Sequence, residues 1–417
     1  MIVDAHHHFW QVAAQEHPWR DHRHDELARD FTPTDLATEL TQAGVDRTVL
    51  IQSVDEPAEN DRLLAYAETP YVGAVVGWLP LSDPQAARQE IDRVADLISG
   101  KQGAAEAAAP GTAAGKRSVA EATALGAGAS TSGERSVAGV ILGADAGQGA
   151  NADLGRGSGA GPGVSGERSI AEATALGAGA STSGERSVVG GGGSSHLHPT
   201  SHPHPTSHPH PTSLTPPAGP AGGGAGGLGW FAGAFSGVRC LVGRDPLDWL
   251  SEPSTVDLFR ELAAAGVAWD VVPVTAEQTK AVLGLADAVP ELRIVVDHLG
   301  RPLIDSGGWE PWAGQVRQLA GCPRVGMKVS LGIDLLTELD EWPELERYLA
   351  WVVDCFGPDR LMVASNWPVV LLRASYGEAW GRLRAALEQV VQNEDELAAV
   401  LGGTAADYYR INRKVSL

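Results

Sequence analysis

The sequence predicts an α/β protein built as a closed (β/α)8 TIM barrel, interrupted by one long low-complexity insertion. Three observations carry that prediction. Eight short apolar, β-branched runs recur along the chain, amphipathic segments of helical period separate them, and polar residues able to do chemistry gather at the C-terminal ends of the runs. An open doubly wound sheet is the competing layout. It calls for a glycine-rich phosphate loop after the first strand, where this chain has HHHFWQVAAQ.

The first strand is IVDAHHHF (2–9). Three consecutive histidines invite comparison with a purification tag, but apolar residues flank them closely, with Phe9 and Trp10 following at once. Side chains alternate along a strand, so Asp4, His6 and His8 are expected on one face and His7 on the other. A helix over TPTDLATELTQAGV opens on a Thr and closes on Gly44, leading to DRTVLIQSV (46–54) and VGAVVGWLPL (72–81). DPQAARQEIDRVADLISG opens a further helix on Asp83. Beyond the insertion, FSGVRCLVG (235–243) is the fourth strand, and a helix from Ser254 precedes AWDVVPV (268–274). LRIVVDHLG (292–300), VGMKVSLGI (325–333) and RLMVASNWPV (360–369) complete the eight.

The insertion is recognised by composition. Between Lys101 and Gly229 there is no Phe, Trp or Tyr, and Gly, Ala, Ser and Pro dominate. Such a stretch cannot bury enough apolar surface to offset the entropy of ordering it, so residues 101–234 are expected to be disordered. Within them GKRSVAEATALGAGASTSGERSV (115–137) returns nearly unchanged at 166–188, the mark of a duplicated linker rather than a solenoid. The tract HLHPTSHPHPTSHPHPTS (196–213) holds six of the 13 histidines and reads as a solvated, polyproline-like spacer with weak metal affinity. Residues 1–100 and 235–417 are then expected to form one large single domain. The insertion follows the third helix, at an αβ connection, which in a barrel lies opposite the active-site loops.

The net charge of −21 argues against nucleic acid or an anionic membrane as partner. There is no apolar run long enough to span a bilayer, and no N-terminal targeting segment is expected. The three cysteines, Cys240, Cys322 and Cys355, are widely spaced, which suits free thiols in a reducing cytoplasm. The expected partner is a small-molecule substrate; oligomeric state leaves no trace in the sequence.

The strand ends bring His6, His7 and His8, Arg239, Asp297 and His298, Lys328, and Ser365, Asn366, Trp367 and Pro368 to one rim. His17, His22 and His24 fall in the loop after the first strand and are expected to be solvated. In this order DAHHHFW, GVDRTVLIQ, VVGWLPL, GVRCLVGRDP, VVDHLGRP and RLMVASNWPVVLL resemble the amidohydrolase-related family, in its branch of sugar-lactone hydrolases such as the L-fuconolactonases and L-rhamnonolactonases. The resemblance runs over residues 1–100 and 235–412 and leaves the insertion unmatched.

It implies that His6 and His8 are metal ligands for a divalent ion such as zinc or manganese, and that His298 is the strand-six histidine. Asn366 stands where many relatives carry an aspartate, and Cys240 where many carry a histidine; an amide cannot serve as general base. The function implied is hydrolysis of a cyclic ester, a sugar-derived lactone, by an activated water at the C-terminal face. His298 is then the base, with Asn366 beside it, Arg239 and Lys328 hold oxyanion or substrate, and Trp10 and Trp367 wall the pocket. Two other readings stay open: a ligand-binding barrel that has lost its base at Asn366, and a decarboxylase-like lyase.

Overall fold

The computed structural model describes residues 1–20, 22–108, 226–302, 308–330 and 342–411. The chain runs β1 (Val3–His7), α1 (Pro33–Ala43), β2 (Arg47–Ile51), α2 (Pro57–Tyr66), β3 (Val72–Trp78) and α3 (Pro84–Ala108). After the insertion come α4 (Gly227–Ala234), β4 (Gly237–Arg239), α5 (Pro253–Ala264), β5 (Ala268–Val271), α6 (Ala276–Ala288) and β6 (Ile294–Val296). They are followed by α7 (Trp312–Ala320), β7 (Val325–Val329), α8 (Trp342–Phe356), β8 (Leu361–Val363), α9 (Tyr376–Val390), α10 (Glu394–Ala398) and α11 (Thr404–Tyr408). The strands lie parallel in sequence order from β1 to β8. The ring closes where His7 bridges Trp367: the His8 amide donates to the Trp367 carbonyl at 2.8 Å, and the Asn366 amide to the His6 carbonyl at 2.9 Å. The TIM barrel expected from the sequence is the fold observed.

Local chemistry explains the boundaries. The Asp83 side chain accepts from the amides of Gln85 and Ala86, and Gly44 ends α1 with φ 69°, a conformation glycine adopts without steric penalty. α5 begins at Pro253 rather than on Ser254, because a proline in the first turn lacks only an N–H that has no helical partner. α4 lies inside the stretch that composition assigned to the insertion: Leu228, Trp230 and Phe231 give it an apolar side, and Phe231 is buried in the core. Among the described residues no helix is long and apolar enough to cross a membrane.

Buried apolar side chains divide between two clusters, as strand alternation requires. Leu50, Val75, Val238, Trp269, Val296, Met327 and Val363 pack outward under the helices. Val3, Ala5, Val49, Val76, Ala268, Val295 and Met362 face inward and meet Tyr408 and Tyr409 at the end of α11. Glycine makes room for that plug: a Cβ on Gly326 would sit 2.9 Å from Cζ of Tyr408.

β1 departs from simple alternation. Its partners on β2 step from Thr48 to Leu50 while β1 advances from Asp4 to His7, so β1 carries one extra residue. Val3 and Ala5 face inward, the bulge turns His6 inward as well, and His7 points out, its Nε2 2.8 Å from Oγ1 of Thr48. Asp4 is consequently not on the face of His6 and His8. It accepts from Ser365, amide at 2.8 Å and hydroxyl at 2.6 Å, and from the Tyr376 hydroxyl of α9 at 3.2 Å, fastening the seam between β1 and β8.

Burial pushes the Asp4 carboxyl up to about 6, against the opposing pull of those hydrogen bonds. A carboxyl raised in this way stabilises the fold when protonated; that contribution is complete below the unfolded value of 3.8 and is lost as pH rises through about 6. Asp4→Asn, uncharged at every pH, should therefore gain on the wild type by about 2 kcal/mol between pH 4 and pH 7 in urea unfolding. A wild-type-minus-variant difference that ignores pH would mean that Asp4 ionises in the fold as it does in the unfolded chain.

Candidate active site

The inward side chains at the strand ends converge on one carboxylate. Asp297, the residue after β6, has Nζ of Lys328 at 3.0 Å, Nε of Arg239 at 3.4 Å and Nδ1 of His6 at 3.4 Å. Burial by itself would raise its pKa, but the charges of Lys328 and Arg239, with the His6 ring beside it, hold it well below the usual carboxylate range. One layer deeper, Asp270 of β5 accepts from Lys328 at 2.6 Å and from the Tyr409 hydroxyl at 2.7 Å. Burial and the neighbouring Asp297 push it up to about 6 despite Lys328.

Three imidazoles complete the group. His6 Nε2 lies 3.1 Å from His8 Nε2, and His8 Nδ1 lies 2.9 Å from the Ile51 carbonyl. His298 Nδ1 is 2.8 Å from Oγ of Ser330, and the His298 ring centre is 4.5 Å from that of His6. Burial first, and the nearby cations second, keep all three neutral. His298 is lowered to about 3, and His6 and His8 fall well below the ordinary histidine value. His298, Leu299 and Arg301 all have left-handed backbones, with φ of 52°, 55° and 54°, a run of strain of the kind that persists at functional sites.

A cavity of about 400 Å³ opens over this group, with His8, Gln52, Ser53, Arg239, His298 and Asn366 in its wall. His6 and Lys328 are fully buried and outside that wall, so Lys328 meets Asp270 and Asp297 rather than substrate. Trp10 and Trp367, expected to wall the pocket, are core residues instead. Trp10 packs on Phe31 and His17, and Trp367 on Phe9 and Phe31. Asn366 lines the cavity in a left-handed conformation, φ 59°, which asparagine tolerates better than most residues. Cys240 lines it too, its thiol pushed up to about 12 by burial.

His17 is not solvated as expected. It is buried between Trp10 and Trp19, its Nε2 3.2 Å from the Ser53 hydroxyl. His22 is exposed, while His24 reaches the cavity. Asp270, Tyr409, Ser330 and the full part of Asp297 escaped the sequence reading. Two signals were available: a lone acid in the apolar run AWDVVPV, and an acid beside His298 at the inward position after Val295.

The site can hold a divalent cation. His6, Asp297 and His298 each offer a ligand atom, and these atoms lie within 4.8 Å of one another. Two neutral imidazoles and an ionised carboxylate are the donor types that zinc or manganese accepts. Both Asp297 oxygens are ion-paired yet lie outside good hydrogen-bond geometry, which leaves their lone pairs available. His8 stands beside this trio and Asp297 within it, whereas the sequence suggested His6 and His8.

Residues 231–411 match the amidohydrolase family model. The whole chain is similar to an L-fucono-1,5-lactonase of Burkholderia ambifaria, 26% identical over 99% of this chain and 96% of that protein. An L-rhamnono-gamma-lactonase of Scheffersomyces stipitis is 25% identical over 42% of this chain and 59% of its own length. A crystal structure of an amidohydrolase from Burkholderia multivorans with bound zinc superposes with a TM-score of 0.58 at 19% identity, covering 98% of this chain and 99% of that one. The motifs, the barrel and these matches agree: residues 231–411 carry the match to the amidohydrolase model, and the chain as a whole is similar to a lactone hydrolase.

Proposed function

We propose that this protein hydrolyses a sugar-derived lactone at the C-terminal ends of its strands. The observation that carries the reading is the end-to-end similarity to an L-fucono-1,5-lactonase, joined to a cavity whose wall offers a neutral base and a guanidinium side by side. Water adds to the lactone carbonyl carbon as His298 takes its proton. The oxyanion forms against Arg239, which lies at the cavity wall with Nη1 3.4 Å from His6. The ring C–O bond then breaks, His298 returns the proton to the departing alkoxide, and a hydroxy acid leaves.

Ser330 holds Nδ1 of His298, so its Nε2 is the nitrogen available for this work. A divalent ion held by His6, Asp297 and His298 would supply Lewis acidity toward the carbonyl or the water. Ligation would occupy His298 Nε2, so the base and ligand assignments exclude each other. The metal content of active protein decides between them.

Lactone opening releases one proton per turnover at neutral pH, so a pH-stat assay over a panel of aldonolactones should record acid release. His298→Asn should lower kcat by roughly 10²–10⁴ while the protein stays folded. Binding without acid release across the panel would leave a ligand-binding barrel, the reading that a neutral Asn366 favours.

Asn366→Asp should raise the metal retained per chain after dialysis, because an ionised carboxylate attracts a divalent ion more strongly than an amide does in a partly dry cavity. No gain, with both proteins folded, would assign His6 and His8 to hydrogen bonding rather than ligation. The comparison belongs in a chain lacking the His-Pro tract, whose histidines offer ions a second place to bind.

The insertion is proposed as a separable segment. Its removal should spare α3 and α4, so residues 109–225 are the part to replace with a short Gly/Ser linker. Lactone turnover should then stay within about tenfold of the full chain, roughly 1.4 kcal/mol in barrier. A larger loss in a folded deletion would give the segment a part in the site.

A further inference from the structure

Hydrolysis as proposed uses the polar side of the cavity wall and leaves an aromatic one unused. Trp19, in the loop between β1 and α1, is half-buried and is the one Trp, Tyr or Phe among the described residues that line the cavity. Its ring packs edge to face on Trp10, with 5.9 Å between ring centres, and on His17 at 5.4 Å, and His24 lies at 6.1 Å. Its only polar side-chain atom is already committed: the indole N–H donates to the Ser53 carbonyl at 3.2 Å. What Trp19 offers the cavity is therefore hydrocarbon and π surface without a donor. A sugar-derived lactone has a matching surface. Its hydroxyls and carbonyl project from the edge of the ring, while the ring faces present C–H groups. Neighbouring oxygens make those C–H groups electropositive, and the electron-rich face of an aromatic ring attracts them.

Ser53 holds the indole, and a buried carboxylate holds Ser53. Through Oε1, Glu59 of α2 accepts from the Ser53 amide at 2.7 Å and from the Ser53 hydroxyl at 3.0 Å. Its Oε2 accepts from Gln15 at 2.7 Å and from Arg62 at 3.1 Å. Gln15 belongs to the loop that carries Trp19, so one carboxylate ties that loop to the end of β2. A buried charge is costly unless it is paired and hydrogen-bonded, and here its bonds fix one stretch of the cavity wall. We infer that Trp19 is the substrate-contacting platform on which the lactone ring lies, and that Glu59 is a positioning residue acting through Ser53. The assignment rests on lactone hydrolysis for the identity of the ligand. Because the opened product has no ring face, the platform favours lactone over hydroxy acid.

In the full-length chain, on whichever aldonolactone of the panel is turned over, Trp19→Leu should raise KM about tenfold or more with kcat within about threefold. The inhibition constant of the hydroxy acid product should change by less than about threefold, since the open chain has no ring face to lose. Glu59→Gln should raise KM severalfold in the same selective way. Added to Trp19→Leu it should cost nothing further, because it acts through that ring. The contact itself is read from ¹⁹F spectra of the chain carrying 5-fluorotryptophan in the His298→Asn background, with the Trp19 signal assigned by its loss in Trp19→Phe. Saturating lactone should move the Trp19 signal and leave that of Trp269, packed on Phe259 away from the cavity wall, in place. If Trp19→Leu fails to fold, the spectra and Trp19→Phe carry the comparison. With turnover present, the inference is overturned and the proposed function kept by any of three results: an unchanged KM in folded Trp19→Leu, an equal loss of lactone and product affinity, or an unmoved Trp19 signal. A moved Trp19 signal without acid release does the reverse. Neither binding nor turnover across the panel removes both.

Discussion

The barrel interior is organised around an ammonium ion that water does not reach. Lys328 is fully buried and bonded to two carboxylates that are buried as completely. Removing such groups from water costs several kcal/mol per ion, which mutual attraction offsets only when geometry and charge both balance. Here two carboxylates, Asp270 and Asp297, meet two cations, Lys328 and Arg239. The balance explains the rest of the cluster. With the cations committed to carboxylates and the site dry, the three imidazoles gain nothing by protonation and stay neutral. Neutral imidazoles can accept a proton or ligate a cation, and the chemistry available to the site follows from a charge problem solved one layer below it.

The same layer joins the two ends of the chain. His6 comes from the first strand and Tyr409 from the segment after the last helix, and both reach Lys328. Glycine at 326 admits Tyr408 to the inner end of the barrel, so backbone composition in β7 serves a contact made much later in the sequence. A side chain at 326 would press on Tyr408 before it touched any group in the cavity.

Much of this was legible in the sequence. Each apolar run became a strand, because parallel barrel strands are buried on both sides and read as continuous β-branched stretches. His6, His8, Arg239, His298, Lys328 and Asn366 were visible as polar residues at the ends of those runs, and all of them belong to the cluster or its cavity. What failed had physical causes. The bulge in β1 is a pairing irregularity with β2, not a pattern within β1, so Asp4 was put on the wrong face. Trp10 and Trp367 follow polar strand ends, yet large aromatic surfaces at a seam bury themselves against Phe9 and Phe31. His17 looked like a loop histidine because its burial depends on Trp19 folding back over it. Asp270 was passed over because a single acid in an apolar strand has meaning only once its partner, 58 residues away, is known.

The chain tolerates its long insertion for a reason that the connectivity supplies. The inserted residues interrupt the path from α3 to α4, upstream of the first residue of β4, while every side chain in the cluster comes from the last residues of a strand or from just beyond them. β4 is short, and Arg239, at its end, is the residue of that strand that ion-pairs with Asp297. What β4 needs from its N-terminal side is a fixed register, and α4 supplies an anchor through Phe231 and Phe235, buried beside Gly77 of β3. Loop-closure entropy grows only as the logarithm of loop length, so lengthening a connection ahead of such an anchor costs little. An equal insertion between β4 and α5 would part Arg239 from Cys240, Leu241 and Val242, which share its cavity wall. The aromatic cluster at Trp230–Phe235 thus marks, in sequence alone, where the chain is anchored ahead of β4.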